Sequence, residues 1–232
     1  INLIKIAKDL HIPKESVRRK VSNLEKNGII KKKGKKITID RSAYKSTQPI
    51  DTLRNISALL SVFSKILKKE KVIKNDMDSN EISNLIKNNF SFCWYQFYKF
   101  LFPYCLRWKT YFGDLELFTI LQTIISNSNS RINKKIKDVD SYLENWRDNL
   151  VNQKIKGINA MSISEITSIP RPTVVRKIKK LTKNKFISLD KQKLINIDVN
   201  KENFNSMSKI QDENIKSVNI FIKRTFNQIN LN

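Results

Sequence analysis

Two sets of basic, hydroxyl and aliphatic side chains stand at the starts of two predicted helices, and their types suit the binding of nucleic-acid bases. An arginine can bond a guanine edge twice, serine and threonine bond bases or phosphates, and valine can touch a thymine methyl group. The residues that we predict to contact bases are Lys14, Ser16, Arg18 and Arg19 in the first set and Arg171, Thr173, Val175 and Arg176 in the second. Glu15 could accept a bond from cytosine, but we expect it to pair with a neighbouring arginine.

Further lysines lie along the same helices and in the hairpins predicted after them. Lysines that neutralise phosphates set the affinity and the salt dependence of binding without reading sequence. The predicted phosphate-binding residues are Lys20, Lys31, Lys32, Lys33, Lys35, Lys36, Lys177, Lys180 and Lys191. The lysine run of the first hairpin could instead be a solvated tip. The second hairpin has fewer lysines, so we expect it to contribute less.

An internal repeat places both sets in the same local context. Residues 6–36 align without gaps on residues 163–193, at an offset of 157, with 11 identities in 31 positions. Abundant Lys and Ile inflate such a match, but the shared Pro, Val, Arg and Leu are harder to attribute to composition. The identical pairs are Ile6/Ile163, Ile12/Ile169, Pro13/Pro170, Val17/Val174, Arg19/Arg176, Lys20/Lys177, Leu24/Leu181, Lys26/Lys183, Asn27/Asn184, Ile30/Ile187 and Lys36/Lys193. We interpret the two stretches as copies of one structural unit.

Each copy has the pattern of a short helix, a tight turn, a longer helix and a hairpin. Pro13 and Pro170 suit the turn before the longer helix. Gly28 is a helix stop in the first copy, because glycine accepts the left-handed conformation. The apolar stripes of the longer helices are Val17, Val21 and Leu24 in the first copy and Val174, Ile178 and Leu181 in the second.

The strings "IPKESVRRKVSNLEKNGII" and "IPRPTVVRKIKKLTKNKFI" resemble the turn, recognition helix and first wing strand of the winged helix-turn-helix family of bacterial transcription regulators. The resemblance covers roughly 40 residues at each end of the chain. It departs from the family in two ways. Lys185 replaces Gly28 in the second copy, and the family's first helix is missing before the first copy, whose core is then incomplete unless other chain supplies it.

The resemblance implies a mainly α protein with small β-hairpin wings, in which two winged helix-turn-helix units are joined by a helical body. We expect four regions. They are a first winged unit at 1–45, a helical body at 46–112, a second winged unit at 113–200 with a helical insertion at 131–157, and a C-terminal helix at 201–232.

Helical patterns fill the middle and the tail of the chain. The segment 52–69 carries an apolar stripe, Asp78 or Ser79 can cap the next helix, and Asp114 can cap a helix at 114–127. The aromatic run 90–112 suits a buried core or interface helix better than an effector pocket, because aromatic residues at helical spacing belong more often to cores. A membrane span is disfavoured because Gln96, Lys99 and Pro103 interrupt the run. A further helix is predicted at 136–154. The stripe in 212–229 either packs back or pairs two chains, and we favour packing.

The net charge of +24 attracts polyanions, but A/T-rich codons alone could supply many of the lysines. The distribution of the charge along the chain is therefore better evidence for a polyanionic partner than its total. Residues 1–45 hold 14 basic and 4 acidic residues, a net +10, and residues 158–201 hold 10 and 3, a net +7. These two stretches carry 17 of the 24 net charges in 89 of 232 residues. Positive charge is therefore concentrated where the repeat lies.

Little in the sequence indicates an enzyme or a metalloprotein. His11 is the single histidine, and neither a glycine-rich phosphate loop nor a paired-carboxylate motif occurs. A zinc site usually takes four ligands, so we interpret Cys93 and Cys105 as buried free thiols and expect neither metal nor cofactor. We expect a non-enzymatic, cytoplasmic, nucleoid-associated transcription regulator that binds double-stranded DNA, has no membrane span and could form a homodimer. The alternatives are a replication initiator or chromosome-organising protein, and a protein-interaction scaffold.

Overall fold

The computed structural model describes residues 3–34, 36–39, 49–132 and 157–229, and helices make up 73% of them. The expected mainly α composition with two small antiparallel hairpins is confirmed. The helices are α1 (Leu3–Asp9), α2 (Lys14–Lys26), α3 (Ile50–Lys69), α4 (Ser79–Asn88), α5 (Phe90–Phe112), α6 (Leu115–Ile132), α7 (Ala160–Thr167), α8 (Arg171–Lys183) and α9 (Lys201–Ile229). The strands are β1 (Ile30–Lys33), β2 (Lys36–Ile39), β3 (Ile187–Leu189) and β4 (Ile195–Ile197).

The chain divides into two compact units, of which unit 1 comprises Ile1–Cys93 and Phe226–Asn232 and unit 2 comprises Trp94–Thr225. The first motif, formed by α1, α2, β1 and β2, belongs to unit 1. Its small core consists of buried residues from α2 and β1 with partly buried residues around them. These are Val17, Val21 and Ile30, surrounded by Leu3, Ile6, Ala7, Ile12, Ile29 and Ile37. Leu24 remains 39% exposed, so the predicted stripe of α2 is buried only in part.

Helices α3 and α4 pack against each other elsewhere in unit 1. Of the two predicted caps, Asp78 and Ser79, it is Asp78 that caps α4. Its carboxylate accepts from the amides of Asn80 and Glu81, while the Glu81 side chain accepts from the Asp78 amide, which completes a capping box. On α3, Ile56 and Leu60 of the predicted stripe are buried, whereas Leu59 is exposed.

The second motif, formed by α7, α8, β3 and β4, lies in unit 2 on a larger core. Helix α6 packs against both α7 and α8, and the aromatic residues of α5 join the same cluster. Trp108 is buried and stacks on Phe118 at 4.7 Å between ring centroids. This confirms a core role for the C-terminal half of the aromatic run 90–112. Among the described residues, no helix has both the length and the apolar character that a membrane crossing requires.

The second hairpin is extended by one isolated bridge. Ile158 and Ile195 exchange two backbone hydrogen bonds, of 3.1 and 2.9 Å, just after Gly157. A Cβ atom on Gly157 would lie 2.5 Å from the carbonyl oxygen of Ile195. Only glycine therefore allows the chain to approach the hairpin this closely.

The tail helix begins at Lys201, where the C-terminal helix 201–232 is predicted to begin, and so extends ahead of the apolar stripe in 212–229. Within unit 2, Phe221 packs against Phe97 and Phe100 of α5, at centroid separations of 6.0 and 5.9 Å. Arg107 of α5 donates to the side chains of Asn214 and Ser217 on α9. The prediction that the tail packs back on its own chain is confirmed for this part. The helix predicted at 136–154 lies outside the described residues.

The two motifs adopt the same backbone geometry at the turns that precede their longer helices. His11 and Ser168, which are equivalent under the offset of 157, have left-handed φ values of 49° and 56°. Pro13 and Pro170 then have almost the same φ and ψ, at −52° and 137° against −52° and 133°. Because ψ is extended there, the chain changes direction before α2 and α8 start, and both helices have 13 residues.

The ends of the longer helices also coincide. Gly28 and its equivalent Lys185 both adopt the left-handed conformation, with φ of 69° and 56°. The same three amide-to-carbonyl bonds close each helix. They run from Asn27 to Asn23, Gly28 to Glu25 and Ile29 to Leu24, and from Asn184 to Lys180, Lys185 to Thr182 and Phe186 to Leu181. The lysine therefore preserves the helix stop that the sequence predicts for glycine alone.

Replacing Lys185 by glycine should stabilise unit 2. A non-glycine residue in the left-handed region costs roughly 1–2 kcal/mol, partly offset by the greater entropy that glycine loses on folding. We expect Lys185→Gly to raise the free energy of unfolding in urea by about 0.5–1 kcal/mol. Lys183→Gly, two residues earlier and inside α8, is the matched control and should lower it by a similar amount. A loss of stability in Lys185→Gly would contradict this explanation of the helix stop.

Candidate nucleic-acid interface

The predicted base-contacting residues of α2 lie on its outer surface. Burial of Val17 and Val21 fixes which side of the helix faces the core, and Lys14, Arg18 and Arg19 are exposed while Ser16 is half-buried. The sequence prediction of an outward set of polar side chains therefore agrees with their positions. The outer surface of α2 carries negative as well as positive charge, because the exposed Glu15 lies among the predicted base-contacting residues.

Glu15 and Arg18 form the predicted ion pair. The Arg18 Nε atom donates to both Glu15 carboxylate oxygens, at 2.9 and 3.1 Å, and Nη2 donates to Oε1 at 2.5 Å. These hydrogen bonds and the guanidinium charge lower the pKa of Glu15, while the carboxylate raises the pKa of Arg18. Both side chains are solvent-exposed. Glu15 is therefore ionised at neutral pH and engages the Nε and Nη2 donors of Arg18.

Helix α8 presents an outer surface without acidic residues. Arg171, Val175 and Arg176 are exposed and Thr173 is half-buried. Burial of Val174, Ile178 and Leu181 orients the helix in the same way as α2. No carboxylate competes for the two arginines within this helix, whose sequence is RPTVVRKIKKLTK.

Lys177 differs from the other predicted phosphate-binding residues. Its ammonium group lies 2.5 Å from a carboxylate oxygen of Asp114 and 3.4 Å from one of Glu116, and its side chain is only 13% exposed. It therefore ties α8 to the start of α6, and its prediction as an outward phosphate contact is corrected. The equivalent residue Lys20, like Lys180, is exposed.

Asp114 has two structural roles. It caps α6, as predicted, by accepting from the Leu117 amide at 2.8 Å, and its other oxygen receives the Lys177 ammonium. Partial burial alone would raise the pKa of Asp114, but the hydrogen bonds from Lys177 and from the Leu117 amide outweigh it and lower that pKa. The carboxylate is therefore charged and engaged on both oxygens.

The two hairpins differ in charge and in turn structure. In the first, Lys31, Lys32, Lys33 and Lys36 are exposed around Gly34, whose φ is 57°, while Lys35 lies outside the described residues. In the second, the Asp190 carboxylate accepts from the amides of Gln192 and Leu194, which closes a longer tip. That tip exposes Lys191 beside an acidic residue.

Two contributions to the site could not be found from local patterns. The ion pair between Asp114 and Lys177 joins residues 63 positions apart, and neither residue type by itself signals a tertiary contact. In the sequence Gly157 is not distinguishable from an ordinary loop glycine, and only the structure shows its close approach to Ile195. Both features hold α8 and its hairpin on the core of unit 2.

The described residues contain no group of three or more potential metal-ligating side chains. Cys93 is buried, and burial raises the pKa of its thiol to about 11. Cys105 is half-buried, so the prediction of buried free thiols is confirmed fully for Cys93 and in part for Cys105.

Comparison of the chain with family models, with curated proteins and with solved structures gives no match. The function is therefore inferred from the two motifs themselves. Their common features are a buried aliphatic stripe, an exposed basic surface and a following hairpin.

Removing the charge of Asp114 should destabilise unit 2 at neutral pH. Asp114→Asn keeps an oxygen to cap α6 but loses the pair with Lys177, and we expect a decrease of up to about 1 kcal/mol in urea unfolding at pH 7, because the pair is partly solvated. The pKa of Asp114 is lowered on folding. Its contribution is therefore present above the ordinary value of 3.8 and is lost as the pH falls through the lower folded-state pKa.

The difference between Asp114→Asn and the parent chain should accordingly vanish at strongly acidic pH. Asp51→Asn is the matched control, because it breaks a largely exposed pair with Arg54 at the start of α3 and should have a smaller effect. An equal effect of the two substitutions, or a pH-independent effect of Asp114→Asn, would show that the ion pair does not hold α8.

Proposed function

We propose that this protein is a sequence-specific DNA-binding transcription regulator without enzymatic activity, in which both motifs act as winged helix-turn-helix units. The observation that carries the proposal is the repeated geometry of α2 and α8. Each helix buries its aliphatic side, starts after a left-handed residue and a proline, and directs basic residues outward. A helix presented in this way fits the major groove of duplex DNA.

Residues shared by the two helices provide a common way of binding. Under the offset of 157, Arg19 is equivalent to Arg176 and Lys14 to Arg171, and all four side chains are exposed. We assign to the two arginines bidentate contacts with guanine, and to the hairpin lysines contacts with phosphates on either side of the groove. The net charges of +10 and +7 around the two motifs favour this partner.

Residues that differ between the helices provide distinct preferences. Glu15 is replaced by Pro172, and Arg18 by Val175. An arginine can bond a guanine edge whereas a valine can contact a thymine methyl group, so the two helices would prefer different bases at the position of Arg18 and Val175. We therefore propose that one chain binds two non-identical half-sites. A replication initiator or chromosome-organising protein remains the second candidate, because two such motifs in one chain also suit iterated sites.

Selection from a random pool of duplex DNA, followed by fluorescence titration, tests the proposal. We expect an enriched site with two different half-sites. Arg176→Ala should weaken binding about 10- to 100-fold and relax the preference at one base pair, whereas Lys32→Ala should weaken all sequences alike and reduce the salt slope by about one. Lys87→Ala, an exposed lysine on α4, is the control and should leave binding unchanged.

Three outcomes separate the alternatives. Enrichment of iterated copies of one site would favour the initiator or chromosome-organising function over a regulator. Selection of a perfect palindrome by a single chain would contradict the non-identical half-sites. Failure to bind any duplex at low salt would overturn DNA binding altogether and leave a protein-interaction scaffold.

Neutralising Glu15 should strengthen DNA binding through α2. The carboxylate repels phosphates and occupies the Arg18 guanidinium, so we expect Glu15→Gln to raise affinity several-fold at low salt and to alter the preference at one base pair. Glu25→Gln, near the opposite end of the same helix, is the control for charge alone. Weaker binding by Glu15→Gln would indicate that Glu15 itself contacts DNA. An equal gain in both variants would show that release of Arg18 plays no part.

A further inference from the structure

Two equivalent positions on the outer surfaces of α2 and α8 carry different chemistry. In α2 they are Glu15 and Arg18, which form an exposed ion pair. In α8 they are Pro172 and Val175, and both of these side chains are exposed, Val175 by 38%. Residues three apart on a helix are neighbours on its surface. Helix α8 therefore has a small apolar patch, formed by Pro172 and Val175, where α2 has a pair of opposite charges.

Three cations surround this apolar patch. Arg171 and Lys179 lie four positions before and after Val175, which places them one turn away on the same side of the helix. Arg176 follows Val175 directly, and all three cations are exposed. An apolar protein surface that covered the patch would bury these charges without partners, which is costly. The surroundings favour instead a polyanion that also carries a small apolar group.

Duplex DNA presents such a group in its major groove. Among the four ordinary bases only thymine has a methyl group there, on C5 of its ring. 5-Methylcytosine carries the same methyl group on the same ring atom, next to an amino group in place of the thymine carbonyl. The side chains of Pro172 and Val175 have neither donors nor acceptors. They can contact the methyl group, but they cannot distinguish the two exocyclic groups beside it.

We propose that the apolar patch of α8 binds the C5-methyl group of a pyrimidine, so that 5-methylcytosine is recognised as thymine is and cytosine methylation strengthens binding at this half-site. This inference rests on the proposed DNA binding by α8. Helix α2 has the charged Glu15 and Arg18 at the equivalent positions, so its half-site responds less to the methyl group. Methylation of the DNA therefore changes the balance between the two half-sites.

The probe is the duplex selected from the random pool, resynthesised with single replacements that change only the methyl group at each thymine and cytosine in turn. Uracil in place of thymine removes the methyl group, and 5-methylcytosine in place of cytosine adds it, without altering base pairing. At one position of one half-site, we expect uracil to bind about three- to tenfold more weakly than thymine in fluorescence titrations. At that position 5-methylcytosine should exceed cytosine by a similar factor.

Variants of the chain assign this response to the patch. Val175→Ala removes most of the apolar contact and should reduce both differences to less than about twofold. Val62→Ala, which shortens an exposed valine on α3, is the matched control and should leave both differences unchanged. Because both valines are exposed, the variants should keep the parent circular dichroism spectrum, which is checked first. Val175→Arg introduces the residue of α2 and should replace the methyl dependence by a preference for guanine.

The outcomes separate this inference from the proposed function. If the selected duplex binds and neither replacement changes its affinity, recognition of the methyl group is overturned while DNA binding stands. A methyl dependence that survives Val175→Ala, or that is equal in the two half-sites, would overturn the assignment to the patch. If no duplex binds at low salt, the proposed function fails and this inference fails with it.

Discussion

Burial of two aliphatic side chains on each of two short helices determines which residues of those helices are exposed for binding. Val17 and Val21 on α2, and Val174 and Ile178 on α8, occupy the cores of their motifs. A helix has only one such side, so the polar residues between these positions are directed outward. The left-handed residue and proline before each helix set where it starts. The packing of the aliphatic residues therefore decides which basic residues are exposed.

The two motifs share a backbone but not a completed core. In unit 2, α6 buries the end of the stripe at Leu181, and Asp114 fixes Lys177 at the edge of the same contact. In the first motif the stripe ends at the partly exposed Leu24. Because buried apolar area supplies most of the stabilisation of a small motif, we expect the first motif to unfold more readily than the second.

The sequence predicted features that depend on neighbouring residues. The repeat, the turns at Pro13 and Pro170, and the cap at Asp78 follow from local chemistry, and the structure confirms them. The prediction that Lys177 contacts phosphates was wrong, because a lysine on a basic helix gives no local sign of a carboxylate 63 residues away. The left-handed Lys185 was not predicted because a non-glycine residue is strained there, and its side chain gives no local sign of that conformation.

The prolines also determine how many amide donors each helix start can offer to an anion. In α2 the first helical hydrogen bond is made by Val17, so the amides of Lys14, Glu15 and Ser16 precede it. In α8, Pro172 has no N–H and the Thr173 amide already bonds Pro170. Only Arg171 therefore has a backbone donor at the start of α8. The start of α8 therefore has one backbone amide that could face an anion, whereas the start of α2 has three.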